Sequence, residues 1–593
     1  MLGMNLTTMI KDTMLKRRLA RALALWLALF PGFAAAAIAQ SAAPQTSQAA
    51  TPQPQTDTLD ALVARLGAHL AQPRFAPAAW GVKIVSLDTG KTLFEHNPQK
   101  YFNPASNAKL YTTALALDRL GADYRIRTSL YSTARPDASG TLKGDLIVYG
   151  RGDPTMAASL NGGDYFKPLE PLVDRLAVAG VRRVEGDLIG DESYFHSPAI
   201  GSGWEWDDLQ EYYGAEASAL NINDNALDLF VKPGERPGQP CRITTGPPSS
   251  WLTIINRTET AAKDSEGRIM VYRPVGENIV YVSGRLPIGG KDYRGSVAVH
   301  NPAGLFVAQL KEALLRRGIT VAGRTRTIDW KYREVTPVDW AKWIELGFVE
   351  SPPLREIVRA TLKPSQNLYA QLLLLQVGAL RDAETRGHGE AGTGQGRGSG
   401  AENGTRREEA QSSVPVAASP RLPVTASSVP RRTTEEMGAE ALQNFLTAAG
   451  VKQGDVLLEE GSGLSRRDII TPNATVALLS FMSRHRFAED YRNGLPIAGV
   501  DGTLQNRMKG TAAAGNARAK TGTLRYVYAL SGYVTTAAGE HLAFSIMLNN
   551  YYNAERAAVP ATAAAASAPR IPAPREDVDA IVVMLAGFSG RSQ

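Results

Sequence analysis

Ser106 and Lys109 lie three residues apart in the run N-P-A-S-N-A-K-L. On a helix that spacing puts both side chains on one face, about one turn apart. A serine hydroxyl is a weak nucleophile at neutral pH and needs a base beside it. A buried lysine flanked by polar or cationic groups shifts toward its neutral form and can take that proton. Taken alone, the pair also fits an ordinary helix start, with Ser106 near the cap and Lys109 in water. Two further elements narrow the choice. Ser365-Gln366-Asn367 is an S-x-N that follows Lys363-Pro364 and is expected to open a helix, so that Ser365 projects into a cleft. Ser159-Leu160-Asn161 has the same pattern but sits in a Gly-rich turn region. Lys520-Thr521-Gly522-Thr523 is the only K-T-G in the chain and falls on a predicted strand. Its lysine and two hydroxyls can hold a carboxylate, and Gly522 lets a ligand approach the backbone.

Those side chains need a frame, and both ends of the chain supply one. Trp80 to Leu87 and Lys91 to Glu95 read as strands joined by the turn Asp88-Thr89-Gly90. A helix is expected from about Ser106, with Leu110, Ala114 and Leu117 on one face. Before them, Asp57 can cap a helix carrying Leu59, Leu62, Val63 and Leu66. Near the other end, Arg518 to Thr523, Tyr526 to Thr536 and His541 to Asn549 read as successive strands, and a last helix carries Val578, Ile581, Val582, Leu585 and Phe588. Residues 57–126 and 346–593 are therefore expected to build one α+β domain around what lies between. That intervening stretch, 127–345, is rich in short strands with Gly and Pro turns and holds one helix at about 303–317. It reads as one or two β-rich accessory domains, the inner one at about 152–240. A second helix is expected over Leu368 to Leu380. Residues 381–433 are Gly, Ser, Thr, Pro, Ala, Glu and Arg with few large apolar side chains, a composition expected to stay disordered. Residues 553–575 form an Ala/Pro-rich insert.

At 593 residues the chain exceeds one hydrophobic core, and its 44% apolar and 21% charged fractions suit a soluble globular protein. The net charge of +7 is spread without a nucleic-acid-binding motif or a single basic patch, so no nucleic-acid partner is expected. Lys16, Arg17, Arg18 and Arg21 precede the apolar run Leu23 to Phe33 and the small-x-small site Ala37-Ile38-Ala39. That is the pattern of a secretory signal peptide over residues 1–39, started at Met1 or Met14 and followed by a flexible leader at 40–56. The apolar run is short for a membrane span and broken by Pro31-Gly32, so the mature chain is expected to lack a transmembrane anchor, with peripheral membrane contact left open. Cys241, the sole cysteine, excludes an internal disulfide and reads as a bystander. The seven histidines show no ligand spacing. Asp187, Asp191 and Glu192 could suggest a metal site, but solvated turn carboxylates are the expectation; no metal or cofactor is called for.

With S-x-x-K, S-x-N and K-T-G in order, the chain carries the motif set of penicillin-binding proteins and class A β-lactamases. It resembles more closely the D-Ala-D-Ala carboxypeptidase/endopeptidase family, the low-molecular-mass class C penicillin-binding proteins (penicillin-binding protein 4 type, peptidase family S13). The further matching stretches are GRGDP at 150–154, GWEWDDLQEYYGA at 203–215, GSGLSR at 461–466 and the run from Pro496 to Leu524. The resemblance implies a penicilloyl-serine transferase fold, with a five-stranded antiparallel sheet, a helical subdomain and nested accessory domains. It implies peptidoglycan stem peptides as substrates, β-lactams as acylating inhibitors, and export to the periplasm. Ser106 would then be the nucleophile and Lys109 its base, with Ser365, Asn367 and Lys520 completing the catalytic set. Thr521, Gly522, Thr523 and Leu524 would bind substrate, and Asp207, Tyr212 and Arg466 would read the diamino acid of the stem. Rival readings are a β-lactamase or esterase of the same fold and a catalytically silent peptidoglycan-binding protein. One β-lactamase class has a tyrosine where Ser365 stands; another needs E-x-x-L-N, and Glu216 lies one residue too far from Leu220-Asn221.

Overall fold

The central sheet draws its strands from both ends of the chain. In the computed structural model, which describes residues 57–385, 431–552 and 572–592, its order is Arg518–Leu524, Val527–Thr535, His541–Asn549, Ala79–Ser86, Thr92–His96. All four pairings are antiparallel, with Lys520 opposite Ser531 and Val82 opposite Ile546. Side chains alternate between the two faces of such a sheet. Phe544, Ile546 and Leu548 pack with the terminal helices Leu59–Leu70 and Pro574–Ala586, whereas Ala543 and Met547 face a helical layer built on Ala108–Leu120. The proposed signal peptide, the leader and most of the two inserts lie outside the described residues.

Local details differ from expectation where a nearer group wins. Thr58, not Asp57, caps the first helix, its Oγ1 accepting from the N–H of Ala61 at 3.2 Å, while Asp57 pairs with Arg65. Leu62, Leu66 and Leu70 form the buried stripe of that helix, and Val63 is exposed. The helix expected to end at Leu380 runs Asn367–Thr385, five residues into the stretch of small and polar residues. The last helix begins at Pro574, inside the Ala/Pro-rich insert as read from composition.

Between the two parts of the central domain lies a five-stranded mixed sheet in the order Thr325–Ile328, Leu188–Asp191, Leu146–Tyr149, Arg127–Ser132, Ile344–Glu350. Three three-stranded sheets accompany it. Helices Glu170–Val178 and Pro302–Arg316 fill its core, the second capped by Asn301. Because Ile344–Glu350 pairs with Arg127–Ser132, entry to and exit from this region are adjacent strands. Cys241 is buried in the same core.

The carboxylates at 191 and 192 are partnered within the fold rather than free in solvent. Asp191 is fully buried and salt-bridged to Arg333 at 2.6 Å, and Glu192 accepts from Ser218 Oγ at 2.5 Å. Burial pushes the Glu192 carboxyl up to about 7. The strand Leu188–Asp191 is interior to its sheet, so a turn-like reading of its sequence end misplaces both groups. Among the described residues, no helix is long and apolar enough to cross a membrane.

Candidate active site

The turn that carries Ser106 is held from three sides. Ala105–Asn107 forms a single tight turn before the helix Ala108–Leu120, with Ala105 at φ 45°. Asn103 braces it. Its Oδ1 accepts from the N–H of Ala105 at 2.9 Å, and its Nδ2 donates to the Asp468 carbonyl at 3.1 Å. A Cβ on Gly522 would lie 2.5 Å from the Pro104 carbonyl oxygen, and one on Gly463 would lie 2.0 Å from that of Ala105. Gly522 was expected to admit a ligand; the backbone it admits here is the chain's own.

Lys109 is wholly buried on the first turn of that helix. Its Nζ lies 2.8 Å from Ser106 Oγ, 2.6 Å from Asn367 Oδ1 and 2.6 Å from the Ser462 carbonyl oxygen. Burial lowers its ammonium to about 7, against the opposing pull of Glu460. A neutral amine has two N–H donors and one lone pair. Asn367 Oδ1 and the Ser462 carbonyl accept only, so they consume the donors and leave the lone pair facing Ser106.

Lys520 is equally buried on strand Arg518–Leu524, and its Nζ donates to Ser365 Oγ at 2.7 Å and to the Thr521 carbonyl at 2.8 Å. Burial first, then the neighbouring charges of Lys109 and Arg507, hold it well below the ordinary lysine range. Ser365 does not open the helix. It sits in the preceding turn at φ 71°, two residues before Asn367–Thr385 begins. The S-x-N motif therefore spans the cleft: Ser365 meets Lys520 while Asn367 meets Lys109. Lys363 anchors that turn through both carboxylate oxygens of Asp501, at 2.9 and 2.7 Å. Thr521 is buried and donates to Thr503 Oγ1 at 2.9 Å, whereas Thr523 is exposed.

At the rim, Asp207 and Tyr212 are exposed, and Tyr212 stands edge-on to Tyr213 with centroids 5.6 Å apart. Arg466 donates to the Arg525 carbonyl at 3.1 Å and pairs with Glu205 at 3.5 Å. Burial, then the charges of Asp207 and Glu205, push the Asp208 carboxyl up, and Arg466 draws it back. Trp204 is tucked in with Leu209, Leu464 and the partly buried Leu524 and packs the base of this loop. One bond ties this loop to the centre: Asn367 Nδ2 donates to the Tyr213 carbonyl at 2.9 Å.

The model of the D-Ala-D-Ala carboxypeptidase 3 (S13) family matches residues 62–393 and 422–568. The chain belongs to this family. A D-alanyl-D-alanine carboxypeptidase from Actinomadura sp. (strain R39) is 31% identical over 536 residues, covering 88% of this chain and 84% of that one. The D-alanyl-D-alanine carboxypeptidase DacB of Haemophilus influenzae is 24% identical over 469 residues, 79% of this chain and 84% of its own. Among solved structures, penicillin binding protein 4 (dacB) from Haemophilus influenzae superposes with a TM-score of 0.64 at 24% identity, covering 83% of this chain and 93% of that one. The S13 match leaves residues 394–421 unmatched, inside the stretch of small and polar residues.

Several groups of this S13 site escaped sequence reasoning. The carbonyls of Ser462 and Tyr213 act through backbone oxygen, which any residue carries, so no residue type announces them. Thr503 and the Lys363–Asp501 pair lie inside or beside recognised stretches but gain meaning only from the fold. Glu460 stands directly before GSGLSR, and its burial was the missing signal.

Proposed function

We infer that this S13 serine-type D-Ala-D-Ala carboxypeptidase works through an acyl-enzyme on Ser106. The observation that carries the reading is the Lys109 amine, 2.8 Å from Ser106 Oγ with two acceptors on its other sides. Ser106 Oγ attacks the carbonyl of the penultimate D-alanine of a peptidoglycan stem, and Lys109 takes the hydroxyl proton. Ser365, bonded to Lys520, passes a proton to the leaving amine. Thr523 and Thr521 receive the terminal carboxylate, Gly522 and Leu524 line the same strand, and the backbone N–H groups of Ser106 and Thr523 form the oxyanion hole. Asn367 orients Lys109 and positions the substrate amide by exchanging its bond to the Tyr213 carbonyl. Water then releases the acyl group. A β-lactam, whose strained amide mimics the D-alanyl bond, acylates the same serine.

The family relation supports the same substrate for cross-linked stems, so endopeptidase cleavage belongs to this reading. The basic and apolar N-terminal segment supports export to the periplasm, with residues 57–126 and 346–593 forming the catalytic domain around accessory domains at about 127–345. The test is a fluorescent penicillin followed by mass mapping. A durable adduct on Ser106, with release of D-alanine from monomeric muropeptides, supports the reading. Rapid turnover of penicillin would make the chain a β-lactamase, and an unlabelled chain a binding protein. Digestion of cross-linked dimers reports the endopeptidase arm.

A further inference from the structure

The carbonyl that orients Lys109 is itself held by a buried acid. Glu460 is 1% exposed, and its carboxylate accepts from the backbone N–H of Ser462 at 2.7 Å, of Leu464 at 2.9 Å and of Gly463. Three successive N–H groups curled around one carboxylate fix the loop 462–464, and with it the direction of the Ser462 carbonyl. Behind Glu460 lies Asp468, fully buried, with Oδ1 accepting from the N–H of Glu459 at 2.9 Å. Its Oδ2 is buried and, among the described residues, meets no hydrogen-bond donor. An acceptor without a donor next to a second carboxylate is satisfied when it carries a proton and donates it. Burial and the charge of Glu460 hold the Asp468 carboxyl well above the usual range, in agreement.

We propose that Glu460 and Asp468, sharing one proton, are a positioning pair that aims the Ser462 carbonyl, and through it the lone pair of Lys109, at Ser106. Glu460 carries the single negative charge that faces Lys109; Asp468 donates its proton to it and stays neutral. The other charged groups around the pair are Lys109, Glu459 on the same loop, and Glu435 on helix Thr434–Ala448. The proposal rests on Lys109 as the base, and its test separates the two.

Acylation of the full chain by a chromogenic cephalosporin is followed from about pH 5 to about pH 9, where an acid limb reports protonation of the base. Glu460→Gln keeps the shape but removes the charge and one acceptor lobe. Its alkaline plateau should fall about tenfold to hundredfold, the usual range for a lost charge-assisted hydrogen bond. Its acid limb should move to lower pH, because Lys109 loses the anion that favours its charged form. A plateau near that of the wild type overturns the proposal. So does a lowered plateau with an unmoved limb, which a merely structural role would give. Asp468→Asn replaces the donated O–H by an N–H and leaves the charge alone, so its limb should stay in place and its infrared spectrum should lose one protonated-carboxyl band. A limb that moves, or no band lost, overturns the shared proton even where Glu460→Gln fails to fold. If the wild type itself forms no acyl-enzyme, Lys109 as base fails first and takes the pair with it.

Discussion

The centre of the cleft and its rim are built on opposite principles. At the centre, Lys109 and Lys520 have no exposed surface; Lys109 Nζ meets Ser106, Asn367 and the Ser462 carbonyl, and Lys520 Nζ meets Ser365 and the Thr521 carbonyl. At the rim, Asp207, Tyr212 and Arg466 are exposed or partly so, and Arg466 rests on a backbone carbonyl and a loose pair with Glu205. Burial at the centre removes water, which depresses both lysines and preorganises charge for the reaction. Exposure at the rim leaves its charges in water, a setting suited to meeting a solute rather than to moving a proton. The contrast teaches that one loop serves both: Tyr213 holds Asn367 by its carbonyl while its neighbour Tyr212 faces solvent.

Changes at the centre should act on all substrates, and the largest of them is Ser106→Ala. It should abolish covalent penicillin labelling and peptide release while leaving the thermal midpoint in place; labelling of this variant in the same peptide would break the assignment. Lys109→Ala should slow acylation by about 10²- to 10⁴-fold, the range for loss of a positioned base. In the wild type, acylation should decline as pH falls through about 7, because the protonated amine has no lone pair to offer. A flat profile across that region would mean that another group takes the proton.

Rim changes should discriminate between substrates. Asp207→Asn should weaken cleavage of stems with a free side-chain amine by about tenfold to hundredfold, and hardly affect stems whose amine is acetylated. Equal loss on both would make Asp207 a support for the loop. The smallest effect is expected at the stretch of small and polar residues. Arg431 and Asp382, near its two ends, meet at 3.1 Å, so the described chain is already brought together there. Replacing 386–430 by a short Gly/Ser link should leave acylation rate and thermal midpoint unchanged; a large drop in either would show that the segment supports the domain.

Much of the frame was legible because periodicity reports burial. The strands expected at 80–87, 91–95, 518–523, 526–536 and 541–549 form one sheet, as alternating apolar residues require. S-x-x-K was legible as a helix face, and Lys109 does stand one turn from Ser106. Ser365 was harder: its left-handed backbone has no signature in a serine, a residue that rarely adopts it. Asp191 and Glu192 were misjudged because a strand end beside Gly190 reads like a turn, and only the partners Arg333 and Ser218 explain their burial. The Ser462 and Tyr213 carbonyls were beyond reach for the simplest reason, since a peptide oxygen is common to every residue.

Because Ala79–Ser86 hydrogen-bonds along its length to His541–Asn549, the ribosome makes Ser106 and Lys109 long before it makes the strands that frame them. Pairings so distant in sequence are slow to form, since the loop between them must be closed first. In the region between, by contrast, the first and last strands are direct neighbours in one sheet. On the proposed role of Ser106, reactivity toward a β-lactam is then a clock for completion of the chain. A nascent or truncated polypeptide that stops short of Lys520 already carries Ser106 and Lys109, yet has no closed cleft in which to be acylated.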